Sequence, residues 1–527
     1  MTYQRLHAKH PFLVVAAAGL CAGFAFPPSP LGVMAFAAFV PLVLVLEDFL
    51  DAVRYSRLLY AFFFCFHGAA NWWVMSWQKE TDPYLMVAGA GLCLGHPFFL
   101  MPAFWMYRAV RRRQSVAVAL VFLVVTWTAC EWLHSLTDLS YPWLALGYTQ
   151  IDASSLVQIA ELGGVWLVSL MVIGVNAACA YAILMPERRR AVLLRLFLVL
   201  CIAMVYGGIR EISLKSDTER ALRVGLVQPS INPWVKWEGG IDAMIGVHRR
   251  LQDSLNAVQP CDVSVWSETA VPLGLRREEH AFLRGSLRRW VDHSNTSLLT
   301  GYADYMEEPE EADPVHTSLH IYNAAGIINP GTSDIPTHHK SRLTPFGEYM
   351  PFSDDLPAIR NWLRWGVGIS GWNKGDGATV LPVVRGEDTL ARVGPVICIE
   401  SIYPGYVADY VRRGADVLAV ITNDAWYDGT FGPRQHYCIS RMRAIETRRD
   451  IMRCGNTGVS GFISRSGASA SEAMPRSSTA LYGTVRLYRE LSPYVRYGDW
   501  VPWLCLVIMG AIAAQAWRGS RRGRPVV

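Results

Sequence analysis

Apolar runs at residues 11–26, 31–46, 58–77, 84–107, 115–134, 164–185 and 191–209, with an eighth at 500–517, constrain this chain more than any other feature. Runs of this length hide their backbone polar groups in helices and their side chains in lipid or in one another. The first run stands behind Arg5 and Lys9 as a secretory signal would. A second run follows almost at once, so the first reads as a retained membrane helix. The expectation is an α-helical membrane bundle of about eight transmembrane helices, interrupted after the seventh by a long segment of different texture.

Orientation follows from the loops. With both termini cytoplasmic, the cytoplasmic pieces hold Arg5, Lys9, Arg54, Arg57, Arg108, Arg111, Arg112, Arg113, Arg188, Arg189, Arg190, Arg518, Arg521, Arg522 and Arg524. The short outward loops hold only Lys79. That positive-inside bias puts the long segment outside the cytoplasm, in the periplasm of a double-membraned bacterium, as a multi-pass protein of the cell inner membrane. The net charge of +5 is clustered beside apolar runs and not interleaved with aromatic residues, so it reads as orienting charge and excludes a nucleic-acid partner. Glu131, Asn71, His67 and His96 fall inside apolar spans, where polar groups bond neighbouring helices or mark function.

Three regions are expected: a transmembrane bundle over 1–209, an extracytoplasmic catalytic domain over 210–497, and a C-terminal helix with a basic tail over 498–527. The middle region alternates β-rich runs (223–228, 262–266, 297–300, 319–322, 393–397, 416–422) with helical patterns at 243–258 and 278–291. Such alternation predicts an α/β domain with helix-covered sheets. Seven of the 11 cysteines lie in apolar segments and the other four show no metal-ligand spacing, so neither a disulfide framework nor a metal is expected.

Within that region three apolar runs each deliver a reactive side chain. Gly394-Pro-Val-Ile-Cys-Ile-Glu400 ends in Cys398 and Glu400, Trp266-Ser-Glu268 ends in Glu268, and His338-His-Lys340 ends in Lys340 with Glu348 soon after. Singly these are a core thiol, a cap and a solvated lysine. Jointly they are the parts of acyl transfer. A thiol with a free pKa near 8.5 needs a base. The oxyanion formed on a carbonyl needs a fixed positive donor.

The motifs resemble the nitrilase superfamily. With the membrane spans, they resemble in particular the apolipoprotein N-acyltransferases. The likeness rests on Gln228-Pro-Ser230 with Trp237, Lys340 with Pro345-Phe-Gly-Glu-Tyr349, Cys398 with Glu400, Thr422-Asn-Asp-Ala-Trp426, Gly432-Pro-Arg-Gln-His436, Arg441-Met-Arg-Ala444 and Asn456-Thr-Gly458. It implies an αββα sandwich in which Glu268 is the base, Lys340 the oxyanion stabiliser and Cys398 the nucleophile. Trp237, Glu348 and Glu400 shape or support the pocket. It further implies a cofactor-free, monomeric enzyme that moves an acyl chain from a membrane phospholipid, through a thioester, to the α-amino group of an S-diacylglyceryl apolipoprotein. The alternative is a membrane-anchored amidohydrolase in which water resolves the thioester. Ser267 and Ile399 stand where the family usually has proline and an aromatic residue, which bears on rate and acyl preference. His436 and Asn423-Asp424 read as loop-fixing. The glycine- and tryptophan-rich stretch 353–377 reads as a lid that admits acyl chains.

Overall fold

The computed structural model describes residues 9–75, 83–214, 220–232, 240–310, 313–352 and 371–521. The chain divides into two compact units, Met1–Lys215 with Tyr497–Val527, and Ser216–Arg496.

The first unit is helical. Among the described residues six helices are long and apolar enough to cross a membrane: Tyr55–Met75, Met86–Arg111, Val116–His134, Ala160–Leu184, Pro186–Ser213 and Trp500–Arg518. Pro11–Phe24 is a shorter apolar helix. The run 31–46, expected as one span, instead forms a 3-10 turn at Gly32–Phe36 and a short helix at Val40–Asp48. Pro41 sits in the first turn of that helix, where the missing N–H costs nothing. The non-helical backbone before it is satisfied from a distance. Asn176 donates to the Ala35 carbonyl (2.7 Å), and its Oδ1 accepts the Phe39 amide (2.9 Å).

Glu131, His67 and Asp499 of this unit find polar partners inside it, as such groups do in lipid. Glu131 accepts from the Trp127 indole (2.8 Å) and the Leu146 amide (2.9 Å). His67 meets His96 at 2.5 Å. Asp499, just ahead of the last helix, accepts the indoles of Trp132 (3.0 Å) and Trp166 (2.9 Å) and so ties that helix into the bundle.

The second unit is a four-layer αββα sandwich. One sheet holds β1 (Ala221–Gln228), β2 (Val263–Trp266), β3 (Ser297–Glu310), β4 (Asp313–Ile328), β5 (Thr337–His339) and β12 (Thr479–Arg486), in the order β12-β1-β2-β3-β4-β5. The other holds β6 (Leu381–Arg385), β7 (Asp388–Ile397), β8 (Val417–Thr422), β9 (Ile451–Gly455), β10 (Gly461–Ile463) and β11 (Ser469–Ala470), in the order β11-β10-β9-β8-β7-β6. Both are mixed, with parallel centres β1-β2-β3 and β7-β8-β9 and antiparallel margins.

Strand alternation explains the layering. In β8 the residues Val417, Ala419 and Ile421 enter the core between the sheets, where they join Leu226 and Val265 of the facing sheet. Leu418 and Val420 face outward under Val407 and Val411 of helix α3 (Pro404–Arg412) and Ala444 of helix α4 (Gly432–Thr447). On the other side, Val227, Trp266 and Leu298 lie under Ile245 of α1 (Ile241–Asn256) and Leu287 and Val291 of α2 (Ala281–Ser294). A strand buried on both faces reads as an unbroken apolar run. Each of the six β-rich runs and both helical patterns of the sequence overlaps one of these elements, overrunning its ends by no more than three residues.

Candidate active site

Three parallel strands and the antiparallel edge strand β5 deliver polar residues at their C-terminal ends, and the two sheets place those ends together. Glu268 follows β2 and Lys340 follows β5 in the first sheet. Cys398 follows β7 and Asn423-Asp424 follows β8 in the second.

Lys340 is 1% exposed, which only close pairing makes tolerable for an ammonium. Its Nζ lies 3.0 Å from Glu268 Oε1 and 2.8 Å from the Glu348 carboxylate. Burial pulls its pKa down, but the two carboxylates outweigh burial and hold it well above the ordinary lysine value. Burial likewise pushes Glu348 up, while Lys340 and hydrogen bonds from Thr344 and Asn323 keep it below the usual range. Glu348 is aimed by its own loop: both the amide and the hydroxyl of Thr344 donate to its Oε2 at 2.9 Å.

Glu268 is held at both oxygens. Oε1 accepts from Lys340 and from Asn323 Nδ2 (2.8 Å), and Oε2 accepts the Asn423 backbone amide (2.9 Å). Asn323 also donates to Glu348 (3.0 Å), so one amide group spans both carboxylates. Nothing in the sequence marks Asn323, because it lies in the middle of a long strand whose motif-free alternation predicts only packing. Gly301 on the neighbouring strand leaves room for this approach, since a Cβ there would stand 2.8 Å from the Glu268 Cα.

Cys398 takes a left-handed conformation (φ 49°), which costs a non-glycine residue energy and turns its side chain sharply out of the strand. Its sulfur lies 3.3 Å from Thr422 Oγ1. Burial and the Glu268 charge push the thiol pKa well up, against the opposing pull of Lys340. A thiol in such surroundings needs a local base to become a nucleophile.

Glu400 is fully buried and acts as a strut. It accepts the amides of Ile397 (2.8 Å) and Ser341 (2.7 Å), joining the Cys398 turn to the Lys340 loop. Burial raises its pKa, but His338 and those amides hold it below the usual carboxylate range.

The Asn423-Asp424 pair does more than fix a loop, since the Asn423 amide grips Glu268. Its side chain is anchored in turn by Asn456 Nδ2 (3.0 Å). Trp237 and residues 353–370 of the expected lid lie outside the described residues.

Cys398, Asp424 and His436 bring one donor atom each within 4.8 Å of one another. The set does not fit a metal ion. One oxygen of Asp424 already holds the Arg453 guanidinium at 2.8 Å and the other holds His436 at 2.8 Å, so a second cation would meet a charge already neutralised.

A carboxylate, a buried ammonium and a strained thiol at the strand ends of an αββα sandwich define a carbon-nitrogen hydrolase domain of the nitrilase type. The carbon-nitrogen hydrolase family profile matches residues 223–489, and the apolipoprotein N-acyltransferase N-terminal domain profile matches residues 18–178. Apolipoprotein N-acyltransferase from Chlorobaculum tepidum is 31% identical over 97% of both chains. The protein of that name from Geobacter metallireducens is 26% identical over 98% of this chain and 99% of its own. Among solved structures, Saccharomyces cerevisiae Nit3, a member of branch 10 of the nitrilase superfamily, aligns at 18% identity over 51% of this chain and 93% of its own, with a TM-score of 0.37. The chain belongs to the apolipoprotein N-acyltransferase family of membrane enzymes.

Proposed function

We propose that this enzyme transfers a fatty acyl chain from a membrane phospholipid to the α-amino group of the N-terminal S-diacylglyceryl cysteine of apolipoproteins, by a ping-pong route through Cys398. The observation that carries the reading is the buried ammonium of Lys340, clamped between Glu268 and Glu348 in the same cluster as the Cys398 thiol.

In the first half-reaction Glu268 takes the thiol proton as the sulfur attacks the ester carbonyl of the phospholipid. The oxyanion so formed is stabilised by the Lys340 ammonium, which costs no reorganisation because it is already fixed. Collapse breaks the ester C–O bond, and the departing lysophospholipid oxygen takes the proton back from Glu268. In the second half-reaction the α-amine attacks the thioester, Glu268 accepts the amine proton, and the thiolate leaves and is reprotonated. Glu348 and Asn323 set the charge and direction of the two working groups, and Glu400 keeps the Cys398 turn in register with the Lys340 loop.

Both substrates are lipid-anchored, which gives the six apolar helices a purpose. The positive-inside pattern supports an extracytoplasmic catalytic region over 210–497, both termini in the cytoplasm, and a bacterial inner-membrane location.

The test is the intact mass of the detergent-solubilised protein after incubation with phospholipid. A gain of one fatty-acyl mass is expected. It should be absent from Cys398→Ala, removed by hydroxylamine and discharged by a diacylglyceryl-cysteine peptide. Release of free fatty acid with no acyl-peptide product would refute transfer and favour hydrolysis.

A further inference from the structure

We propose that Asp424 is a positioning residue for the nucleophile, with one arm through His436 and Ser401 to the Cys398 carbonyl and a second through Thr422 to the Cys398 sulfur. This rests on the reading of Cys398 as nucleophile given above.

Asp424 is buried and its carboxylate is fully engaged. Oδ2 accepts from Arg453 (2.8 Å), whose guanidinium is itself fully buried and also donates to Ser440 (3.0 Å) and to the Val459 carbonyl (3.3 Å). Oδ1 accepts from His436 Nδ1 (2.8 Å) and from the Thr422 hydroxyl (2.8 Å). Gly458 closes the space behind it, because a Cβ there would stand 2.6 Å from Asp424 Oδ2. The carboxylate therefore has one placement. Burial opposes its charge, but His436 and Arg453 outweigh burial and bring its pKa to about 2. So weak a base cannot hold the thiol proton, which makes Asp424 an acceptor that orients and not a second general base.

The first arm fixes the backbone. Because Asp424 claims the hydrogen on His436 Nδ1, Nε2 presents its lone pair to the Ser401 hydroxyl at 2.7 Å. Ser401 has one hydroxyl hydrogen between two acceptors, that lone pair and the Cys398 carbonyl, to which it donates at 2.8 Å, so the ring reaches the carbonyl through Ser401 and not directly. These contacts brace the left-handed turn of Cys398, a conformation that persists only where its surroundings over-determine it.

The second arm reaches the reacting atom. Thr422 has one hydroxyl hydrogen and two acceptors in range, Asp424 at 2.8 Å and the sulfur at 3.3 Å. While Cys398 is a thiol, its S–H can donate to Thr422 Oγ and the Thr422 hydrogen can point to Asp424. Once Glu268 has taken the thiol proton, the Thr422 hydrogen turns to the thiolate. Thr422 thus stabilises the anion that attacks, and Asp424 holds Thr422 in place for it.

The experiment uses the full chain in detergent, with Thr422→Val, Thr422→Ser, His436→Gln and Ser401→Ala beside the wild type. Two rates are measured: alkylation of Cys398 by iodoacetamide across pH, followed by peptide mass, and single-turnover acylation by palmitoyl-oleoyl phosphatidylethanolamine in mixed micelles. Glu268, Lys340, Asp424 and Tyr427 also face the sulfur electrostatically and are left unchanged in every variant, so a difference in pH profile belongs to the hydroxyl. Thr422→Val is expected to slow alkylation at neutral pH roughly tenfold and to move its midpoint up by about one pH unit, the scale of one hydrogen bond to a charged group. Thr422→Ser should restore both. His436→Gln and Ser401→Ala should lower the acylation rate at saturating phospholipid while leaving the half-saturating concentration and the alkylation midpoint unchanged. A Thr422→Val profile equal to that of the wild type, or a Thr422→Ser variant as slow as Thr422→Val, would overturn the proposal. Alkylation is read without any acyl donor. An enzyme that forms no acyl adduct therefore refutes the nucleophile reading, while the Thr422 comparison still decides the positioning one.

Discussion

Replacing Lys340 by methionine keeps the volume of the side chain and removes the charge that two buried carboxylates share. Glu268 and Glu348 each lie within 3.0 Å of the same Nζ, so their nearest oxygens are within about 6 Å of each other. Without the ammonium they repel by about 3 kcal/mol at an effective dielectric constant near 20. The lost ion pairs and the unsatisfied carboxylates put the total cost at roughly 3–5 kcal/mol near pH 8.

The sign of the pH dependence follows. In the wild type the depressed pKa of Glu348 contributes stability that is present above the unfolded carboxylate value and lost as pH falls through the folded one. In Lys340→Met one carboxylate is raised instead, and its penalty disappears as pH falls through the new, higher folded value. The variant should therefore approach the wild type between pH 8 and pH 5, where the wild type itself is nearly flat. Thermal unfolding in detergent at several pH values reads this as a deficit on the order of 10 °C at pH 8 that shrinks on acidification. Adding Glu348→Gln should recover much of the deficit while leaving acyl-adduct formation abolished. A Lys340→Met protein as stable as the wild type at pH 8, or a double variant with no recovery, would refute the charge argument.

Two further outcomes are expected. Glu400→Gln keeps the shape but gives up the anion that accepts the Ile397 and Ser341 amides, so it should lower stability by roughly 1.5–3 kcal/mol and slow acyl-adduct formation, as read by melting and by single-turnover mass measurement. Asn176→Leu removes the side chain that satisfies Ala35 and Phe39 within the helical unit. Melting of the solubilised protein should fall by the equivalent of about 2–3 kcal/mol, and unchanged melting would show that the 31–39 segment satisfies itself.

The site was legible in the sequence where a reactive side chain ends an apolar strand. Glu268 and Cys398 stand out because polarity switches abruptly where a buried apolar strand leaves the sheet, whereas Lys340 follows the polar strand Thr337–His339 and is marked only by the motif around it. Asn323 has the opposite setting, a polar residue in mid-strand among inward-facing alternations, and only the register of β4 against β5 shows that it faces two carboxylates. The span expected at 31–46 failed for a related reason. Hydropathy registers that the segment is apolar, but its backbone geometry is set by Pro41 and by Asn176, which lies far along the chain. The role of Asn423 was hidden because it acts through its main-chain amide, which no side-chain pattern encodes.

The site also couples the two sheets to each other. Glu268 leaves the first sheet and is gripped by the amide of Asn423 from the second, while Glu400 leaves the second and grips the amide of Ser341 from the first. The two bonds run in opposite senses across the same interface, so sliding of one sheet over the other breaks both. The apolar layer between the sheets resists separation but is non-directional, and it sets no register of its own. Register at the strand ends is set by these charge-assisted bonds, which ties the geometry of the candidate site to the integrity of the sandwich. Amide exchange at Asn423 and Ser341 should therefore be as slow as at the core of β8, although both residues lie outside regular strands. Exchange at those two amides as fast as at the exposed turn Gly386–Glu387 between β6 and β7 would show that the layers move independently and that the site is assembled only when substrate binds.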